Sequence, residues 1–393
     1  MAVTQTQNTN GEAHPAELNA SKLVINLANE LKPLPAPESL AFGETKTDHM
    51  LIVNYDPVTG WSTPEIKPYG PLILDPASSC FQYCPNVFEG MKAYAGPDGK
   101  PRLFRPQKNM ERLTRSAERV ALPPFDTNEL LKLIQRLVAV ESRWIPSQPG
   151  YSLYIRPTVI GTRAALGVAA SDSACLYVIV SPTGPYFRGG TRPISLLAVG
   201  EHARSWPGGT GGHKLGLNYA PGFMPQRLAA KLGYEQILWL LGDDKKITEV
   251  GAMNVFVAIK RDDGDLDVLT PPLDGTILPG LTRASCIALT EAHNTGRLVL
   301  PGISPSQKLH TAECPVTMAE IVAWSEQGRL VEAFGVGTAV VVAPIGRIGF
   351  EGKDIILPIY EAGLGPLGKG LWETLTAIQV GKLEYDDWSV KCE

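Results

Sequence analysis

The sequence Trp206-Pro-Gly-Gly-Thr-Gly-Gly-His-Lys-Leu-Gly-Leu-Asn-Tyr219 places a single lysine, Lys214, directly after a glycine-rich loop. Glycine lets a backbone approach a bound group closely, and a lysine held beside such a loop can be partly desolvated. Desolvation lowers the pKa of an amine and makes its neutral form available as a nucleophile. The segment leaves two readings open: a Schiff-base lysine, or a surface lysine beside a flexible loop.

A nucleotide-binding P-loop is a further alternative for the same glycines, and the spacing argues against it. His213 separates Gly212 from Lys214, and Leu215 stands where a Ser or Thr would hold magnesium. The loop therefore does not match the pattern of phosphate-binding NTPases.

The bulk composition is that of an ordinary globular protein. The chain has 393 residues, enough for two domains with separate cores, with 44% hydrophobic and 19% charged residues. A net charge of −4 argues against a nucleic-acid or anionic-membrane surface. No run approaches the ~20 apolar residues that span a bilayer. The expected partners are therefore small molecules.

The beginning of the chain and its cysteines predict little structure and no metal. Residues 1–20 are polar and lack both an apolar signal core and arginine, since Arg102 is the first arginine. We expect a disordered lead-in and a cytoplasmic protein. The six cysteines show no metal-ligand spacing, so we expect no metal site.

Hydrophobic periodicity and turn residues predict the elements of both halves. We expect helices at 20–31, 109–120 (capped by Asn109), 128–144 (capped by Thr127) and 221–232, with another opening after Gly280. Strands are expected at 49–55, 81–83, 102–104, 151–160, 174–181 and 194–199. Two hairpins are expected, one pairing 236–241 with 246–250 and one pairing 253–260 with 266–269.

The region Pro182–Pro193 is rich in glycine and proline and has little periodic hydrophobicity, which is typical of a linker. We predict an α/β (α+β) fold of two domains. The lead-in would be 1–20, a small N-terminal α/β domain 21–186, a linker 187–198, and a larger C-terminal domain 199–393.

Eight segments resemble, in the same order, segments of the branched-chain aminotransferases, a class IV group among the fold-type IV enzymes that use pyridoxal phosphate. They are the lysine segment and Phe42–Met50, Val87–Tyr94, Leu103–Pro106, Leu153–Pro157, Ile247–Asn254, Ile277–Gly280 and Phe334–Ala339. Together they span roughly residues 40–385. The resemblance, to a fungal-like member of the family, implies a cofactor bound between the two domains and at least a homodimer.

The resemblance implies how this chain would bind the cofactor. Lys214 would bond to its aldehyde and later move the substrate's Cα proton as base and then acid. Glu249 would keep the pyridine nitrogen protonated. Arg112 and the helix start at Leu281 and Thr282 would bind the phosphate, since free N–H groups there suit an anion. Thr338 would add a hydroxyl to the phosphate, and Tyr219 would bond to the phenolic oxygen.

The resemblance also implies a substrate pocket that takes an aliphatic side chain in one half-reaction and the γ-carboxylate of glutamate in the other. Tyr154 and Arg156, two apart on a strand, would share a face. The N–H groups of Thr338 and Ala339 would bind the α-carboxylate. The implied substrate-binding residues are Phe42, Tyr83, Phe88, Tyr154, Arg156, Ala252, Thr338 and Ala339.

The chain departs from the family pattern at a few positions. Val340 and Ala343 occupy the places of the Cys-x-x-Cys thiol switch of animal relatives, so that switch is absent. Val336 replaces a usual serine and Ala252 a usual threonine, which makes the substrate end less polar and leaves substrate preference open.

The implied function is transamination of leucine, isoleucine or valine with 2-oxoglutarate, giving branched 2-oxo acids and glutamate. The alternatives are a transaminase for another hydrophobic amino acid, a D-amino-acid transaminase or aminodeoxychorismate lyase, and a non-catalytic binding protein that keeps the fold.

Overall fold

The computed structural model describes residues 15–186, 192–361 and 363–392. The predicted lead-in up to residue 14, and residues 187–191 of the predicted linker, lie outside the described residues. Across the described chain, two large mixed β-sheets carry helices on their faces.

The first sheet has the strand order β1-β4-β2-β9-β8-β6-β7 along its main path, with β3 paired to β2 and β5 to β8. Its strands are β1 (Val24–Ile25), β2 (His49–Asp56), β3 (Gly60–Trp61), β4 (Glu65–Pro68), β5 (Asn86–Phe88), β6 (Met91–Ala95), β7 (Pro101–Phe104), β8 (Ser152–Gly161) and β9 (Ala174–Thr183). The long antiparallel pair β8–β9 is nearly all buried and forms its centre.

Helices α1 (Ser79–Gln82), α2 (Pro106–Arg119) and α3 (Thr127–Val140) belong to this half. Pro106 suits the first turn of α2, where its missing N–H costs nothing. Asp126 caps α3, accepting hydrogen bonds from the N–H groups of Asn128 and Glu129. The apolar stripe of α3 packs into the core of this sheet with Leu113 of α2.

The second sheet has the order β12-β11-β10-β17-β16-β13-β14-β15, with β18 paired to β17 and a further pairing of β12 with β13. Its strands are β10 (Ile194–Val199), β11 (Gln236–Leu241), β12 (Lys246–Val250), β13 (Met253–Lys260), β14 (Leu266–Thr270), β15 (Leu309–Glu313), β16 (Leu330–Gly337), β17 (Val341–Phe350) and β18 (Lys353–Ile356). The extra β12–β13 pairing brings Glu249 opposite Asn254.

The helices of this half are α4 (Phe223–Lys231), α5 (Leu281–Asn294), α6 (Met318–Glu326) and α7 (Pro366–Gln379). Helices α5 and α7 share one core with β13 and β16, built around the stacked rings of Phe256 and Phe334. Helix α6 belongs to a separate core that includes Val257 and Ile321.

The chain ends by returning to the first sheet, where β19 (Ser389–Lys391) pairs antiparallel with β7. Strand β10 begins at Ile194, inside the segment predicted as linker. The last strand of the predicted C-terminal domain therefore lies in the sheet of the N-terminal half. The domain boundaries themselves stay a prediction.

Most predicted elements are confirmed, including both hairpins and the helix after Gly280. The helix at 20–31 is wrong, because only a 3₁₀ turn at Ala20–Lys22 and the short strand β1 form there. The strand at 81–83 is also wrong, since helix α1 ends at Gln82. Both predicted caps differ too: α2 begins three residues before Asn109, and Asp126 rather than Thr127 caps α3.

No helix among the described residues is both long and apolar enough to cross a membrane.

Candidate active site

A cavity of ≈ 720 Å³ is lined by residues from both halves of the chain. It contains most of the residues predicted from the sequence. Those lining it are Phe88, Arg112, Tyr154, Arg156, Lys214, Tyr219, Glu249, Ala252, Leu281, Thr282, Thr338 and Ala339. Their individual roles stay predictions.

The lysine loop is tied to both halves of the molecule. Leu215 forms an isolated antiparallel bridge with Val87, and the N–H of Lys214 donates to Ser116 Oγ of α2 at 2.9 Å. A Cβ on Gly211 would lie 2.5 Å from the Thr276 carbonyl oxygen, so only glycine allows this close packing. The loop thus holds the backbone of Lys214 in one place.

The side chain of Lys214 is half-buried and points among aromatic rings. Its Nζ lies 3.2 Å from the hydroxyl of Tyr219 and 4.8 Å from the ring centroid of Phe88. The rings of Phe88 and Tyr219 themselves pack 5.2 Å apart. The Lys214 amine therefore faces the cavity with a phenol as its hydrogen-bonding partner.

Glu249 is the penultimate residue of β12 and is buried, with 2% of its surface exposed. Its carboxylate pairs with Arg204 at 2.9 Å and accepts a hydrogen bond from the N–H of Leu278 at 2.8 Å. Burial raises the pKa of Glu249, and the Arg204 guanidinium and the Leu278 N–H act in the opposite direction. These partners hold the buried carboxylate at the cavity and favour its ionised form against the effect of burial.

Arg112 is buried and makes a bidentate ion pair with Glu89, at 2.7 and 2.8 Å. Its third nitrogen, Nη1, donates to the carbonyl of Pro279 at 3.0 Å, just before α5 begins. Burial alone would raise the pKa of Glu89, but the charge and hydrogen bonds of Arg112 outweigh it and keep this pKa below its usual range. Arg112 thus links α2 to the start of α5.

Helix α5 begins at the cavity with an N-cap, Gly280, that makes no side-chain capping bond. Leu281 and Thr282 line the cavity at this helix start. A Cβ on Gly280 would lie 2.0 Å from Asn254 Oδ1, so the glycine lets the helix start close to β13. Uncapped N–H groups and the positive end of the helix dipole make this a suitable place for an anion.

Another part of the cavity wall combines aromatic rings with a cation. Arg156 Nη2 donates to the hydroxyl of Tyr154 at 3.0 Å, and its guanidinium carbon lies 4.5 Å from the Phe88 ring centroid. Arg156 Nε is buried without a hydrogen-bond partner among the described residues. The Nε–H of this guanidinium can donate a hydrogen bond to an oxygen of a bound ligand.

The turn between β16 and β17 contributes Thr338 and Ala339 to the cavity wall. Val341, at its end, has a φ of 62°, which is costly for a β-branched residue. Strain of this kind persists only where surrounding contacts hold the backbone. The turn is therefore a fixed part of the cavity wall.

Two predicted substrate-binding residues are not among the residues that line the cavity. Tyr83 is 42% exposed, and its hydroxyl donates to the carbonyl of Leu166. Phe42 is 43% exposed and packs edge-on against Tyr154 at 4.7 Å. Within one chain Phe42 borders the site through Tyr154, and Tyr83 belongs to the outer surface.

Sequence reasoning missed several residues that hold the site together. Glu89 lies inside the quoted segment Val87–Tyr94, and its signal was a carboxylate that directly follows the apolar residues Val87 and Phe88. Arg204 lies ten residues before Lys214 in a polar loop and carries no such signal. Asn254, which donates to Glu249 and to the Leu278 carbonyl, was quoted but given no role.

The polar groups around the cavity fit pyridoxal phosphate. An amine, a buried carboxylate, an arginine and an open helix start face one space. They match an aldehyde, a pyridine nitrogen and a phosphate.

Comparison with known proteins agrees with this donor set. The family model "Amino-transferase class IV" matches residues 86–348. The mitochondrial branched-chain-amino-acid aminotransferase of Schizosaccharomyces pombe is 47% identical, over 96% of this chain and 86% of its own. The cytosolic enzyme of Saccharomyces cerevisiae is 45% identical, over 95% of this chain and 97% of its own.

Among solved structures, a branched-chain aminotransferase from the archaeon Thermoproteus uzoniensis with norvaline superposes with a TM-score of 0.67 at 25% identity. The match covers 88% of this chain and 100% of that one. Family model, relatives and fold agree, and the chain belongs to the class IV aminotransferases, in the group of the branched-chain-amino-acid aminotransferases.

Proposed function

We propose that this protein transfers the amino group of leucine, isoleucine or valine to 2-oxoglutarate, giving branched 2-oxo acids and L-glutamate. The observation that carries the proposal is the Lys214 amine, which lies over the Phe88 ring and lines the same cavity as the buried Glu249 carboxylate. The close relatives support the substrate class.

Pyridoxal phosphate, when bound, supplies an aldehyde to carry the amino group and a ring to accept electron density. Arg112, Thr338 and the α5 start at Leu281 and Thr282 would hold its phosphate. Glu249 would face its ring nitrogen, and Tyr219 its phenolic oxygen.

Lys214 would hold the cofactor and then move one proton at the substrate's Cα. The Tyr219 hydroxyl, 3.2 Å from Lys214 Nζ, would orient the amine. The Phe88 ring covers part of the amine, which would act as base and then as acid at this position.

The substrate side of the cavity suits both halves of the cycle. The rings of Phe88 and Tyr154, together with Ala252, offer apolar surface to a branched side chain. Arg156, with its unpartnered Nε, and the Tyr154 hydroxyl can receive the γ-carboxylate of glutamate. The N–H groups of Thr338 and Ala339 would bind the α-carboxylate common to all the substrates.

We also propose a two-domain homodimer acting in the cytoplasm. Tyr83 lies in an exposed apolar region with Phe81 (59% exposed) and Leu166 (65% exposed), which suits contact with a second copy of the chain. Such a contact would explain why Tyr83 is separated from the cavity of its own chain. The relatives include both cytosolic and mitochondrial enzymes.

The direct test is to mix the cofactor-loaded protein with one amino acid at a time and follow the absorbance of the lysine-bound cofactor. We expect rapid loss with leucine, isoleucine, valine and glutamate, and none with D-alanine. Conversion by glutamate but not by the branched amino acids would keep the transaminase and contradict the substrate class. Absence of a bound chromophore after addition of pyridoxal phosphate would contradict the whole proposal.

The lysine assignment has its own test in Lys214→Ala. We expect a folded protein that binds the cofactor without the covalent bond, so that borohydride leaves its mass unchanged. The matched control is Lys231→Ala on α4, an exposed lysine of the same half. If borohydride gives as much cofactor adduct with Lys214→Ala as with the wild type, Lys214 is not the lysine that bonds to the cofactor.

A further inference from the structure

Lys92 is a buried lysine that the proposed chemistry does not use. It lies on β6 directly opposite Tyr154 of β8, and opposed residues of neighbouring strands share a face of the sheet. Only 8% of its surface is exposed. Its Nζ donates a hydrogen bond to the carbonyl of Ala339 at 2.9 Å, which joins the first sheet to the β16–β17 turn.

This ammonium has no carboxylate partner among the described residues, where no ion pair includes it. Burial lowers its pKa to about 8, so it still carries its proton at neutral pH. An unpaired buried charge is unfavourable for folding and is kept where it serves a bound group. The described side chains around Lys92 therefore provide no negative charge to balance it, and a bound ligand could provide one.

The position of Ala339 indicates which group of a bound ligand would provide this negative charge. Ala339 and Thr338 line the cavity, and Lys92 contacts the same turn through the Ala339 carbonyl. A cation behind the turn fixes the orientation of its peptide groups and makes the electrostatic potential at the cavity more positive.

We propose that Lys92 is a positioning residue for the α-carboxylate of the substrates, acting through the Thr338–Ala339 turn. The inference rests on the proposed function and deepens it. Because every amino acid and 2-oxo acid of the cycle has this carboxylate, Lys92 affects binding in both half-reactions. It does not distinguish a branched side chain from that of glutamate.

The test compares a carboxylate with a neutral ligand of the same shape. Cofactor-loaded wild-type protein, Lys92→Met, Lys92→Gln and Lys92→Arg are titrated with 4-methylvalerate and with 4-methylvaleramide. Dissociation constants are read from the cofactor spectrum at pH 7 and fixed ionic strength. The control Lys100→Met removes an exposed lysine from the turn between β6 and β7, with the same change in net charge.

We expect Lys92→Met and Lys92→Gln to bind the carboxylate on the order of tenfold or more weakly, because both lack the positive charge. Binding of the amide should not change, and Lys92→Arg and Lys100→Met should stay close to wild type. Equal weakening of both ligands would mean that Lys92 only supports the backbone. Unchanged carboxylate binding in Lys92→Met, or equal affinity of the wild type for both ligands, would also overturn the proposal.

These outcomes are separate from a failure of the proposed function. That failure would appear in wild-type protein that is converted by neither leucine nor glutamate, whereas the Lys92 comparison is an equilibrium measurement. If the wild type turns over normally and Lys92→Met binds the carboxylate normally, the positioning role of Lys92 is wrong. The proposed function is then unaffected.

Discussion

Lys214, Glu249 and Arg112 illustrate how a few residues can be predicted from a sequence while their partners cannot. Lys214 and Glu249 lie in segments with a recognisable pattern, Arg112 was assigned from the family resemblance, and the structure brings all three to one cavity. Arg204 and Glu89, which neutralise Glu249 and Arg112, lie elsewhere in the chain. Their pairing depends on how strands and loops meet in space, so no local pattern reveals it.

The Glu249–Arg204 pair gives a prediction about pH. In Arg204→Met the buried carboxylate loses a cation, and its pKa, already raised by burial, rises further. Glu249 is then protonated over more of the acid range, so the single-turnover rate with leucine should fall as pH decreases through the new pKa. We expect the pKa on the acid side of the pH–rate profile to rise by about one pH unit or more.

The comparison for this prediction is Glu249→Gln, which has no group to titrate at that position. The single-turnover rate of Glu249→Gln should be low at all pH values. Raising the pH should restore the rate of Arg204→Met. If the acid side of the pH–rate profile of Arg204→Met coincides with that of the wild type, Arg204 does not affect the pKa of Glu249.

Lys92 gives a prediction about stability. Its pKa is about 8 in the folded protein and 10.5 in the unfolded chain, so between these values the unfolded chain binds more protons. The free energy of unfolding of the wild type should therefore rise with pH across this window, relative to Lys92→Met. At pH 7 the variant should be more stable, by at most about 3 kcal/mol.

Urea unfolding of both proteins at pH 7 and pH 10 measures that difference, and groups common to both cancel. A Lys92→Met protein that is several kcal/mol less stable at pH 7 would identify Lys92 as an ordinary structural residue.

At the scale of the elements, the segment 20–31 shows how long-range partners can override a local pattern. The segment at 20–31 has apolar residues at helical spacing, yet Leu27 and Leu31 are exposed. Its backbone instead bonds to distant groups: the N–H of Ala28 donates to His49 Nε2, and that of Lys32 to Asp48. Partners that far away in sequence leave no periodic signal.

Helix α5 gives a prediction at this scale, because its first turn is held by a chain of hydrogen bonds. Arg105 Nη1 donates to Ser285 Oγ at 2.8 Å, and that hydroxyl donates to the Leu281 carbonyl at 2.8 Å. Arg105→Met should loosen the helix start and weaken binding of pyridoxal phosphate by about tenfold.

Equilibrium dialysis of the cofactor measures this effect. Ser285→Ala should have a similar effect, and the double variant should be no worse than either single one, because both interrupt one chain. The exposed Lys108→Met on α2 is the control. Additive losses in the double variant would show that Arg105 and Ser285 act independently.

At the scale of the whole molecule, the cavity exists only where the two halves meet. The first half brings Phe88, Arg112 and Arg156, and the second brings Lys214 and Glu249. The C-terminal segment reinforces the junction, because Trp388 packs against Phe104 at 5.7 Å and Arg105 at 4.3 Å. The composition of the linker predicted the general two-part organisation. It did not predict that β19 returns to the first sheet.

Trp388→Ala tests this junction. Trp388 is 8% exposed, and its loss should lower the free energy of unfolding by about 3 kcal/mol or more. Trp206→Ala, which removes a tryptophan that is 58% exposed, should have a much smaller effect. Equal changes in the urea midpoint of the two variants would contradict a supporting role for the C-terminal segment.

The pairing of β19 with β7 also orders events during synthesis. Strand β7 emerges from the ribosome early, but its partner at residues 389–391 is made only after every strand of the second sheet. Until then one edge of the first sheet has no neighbour, and an open edge invites pairing with other chains. Slow translation of the second half would prolong that exposure, so newly made chains should depend on chaperones more than the finished enzyme does.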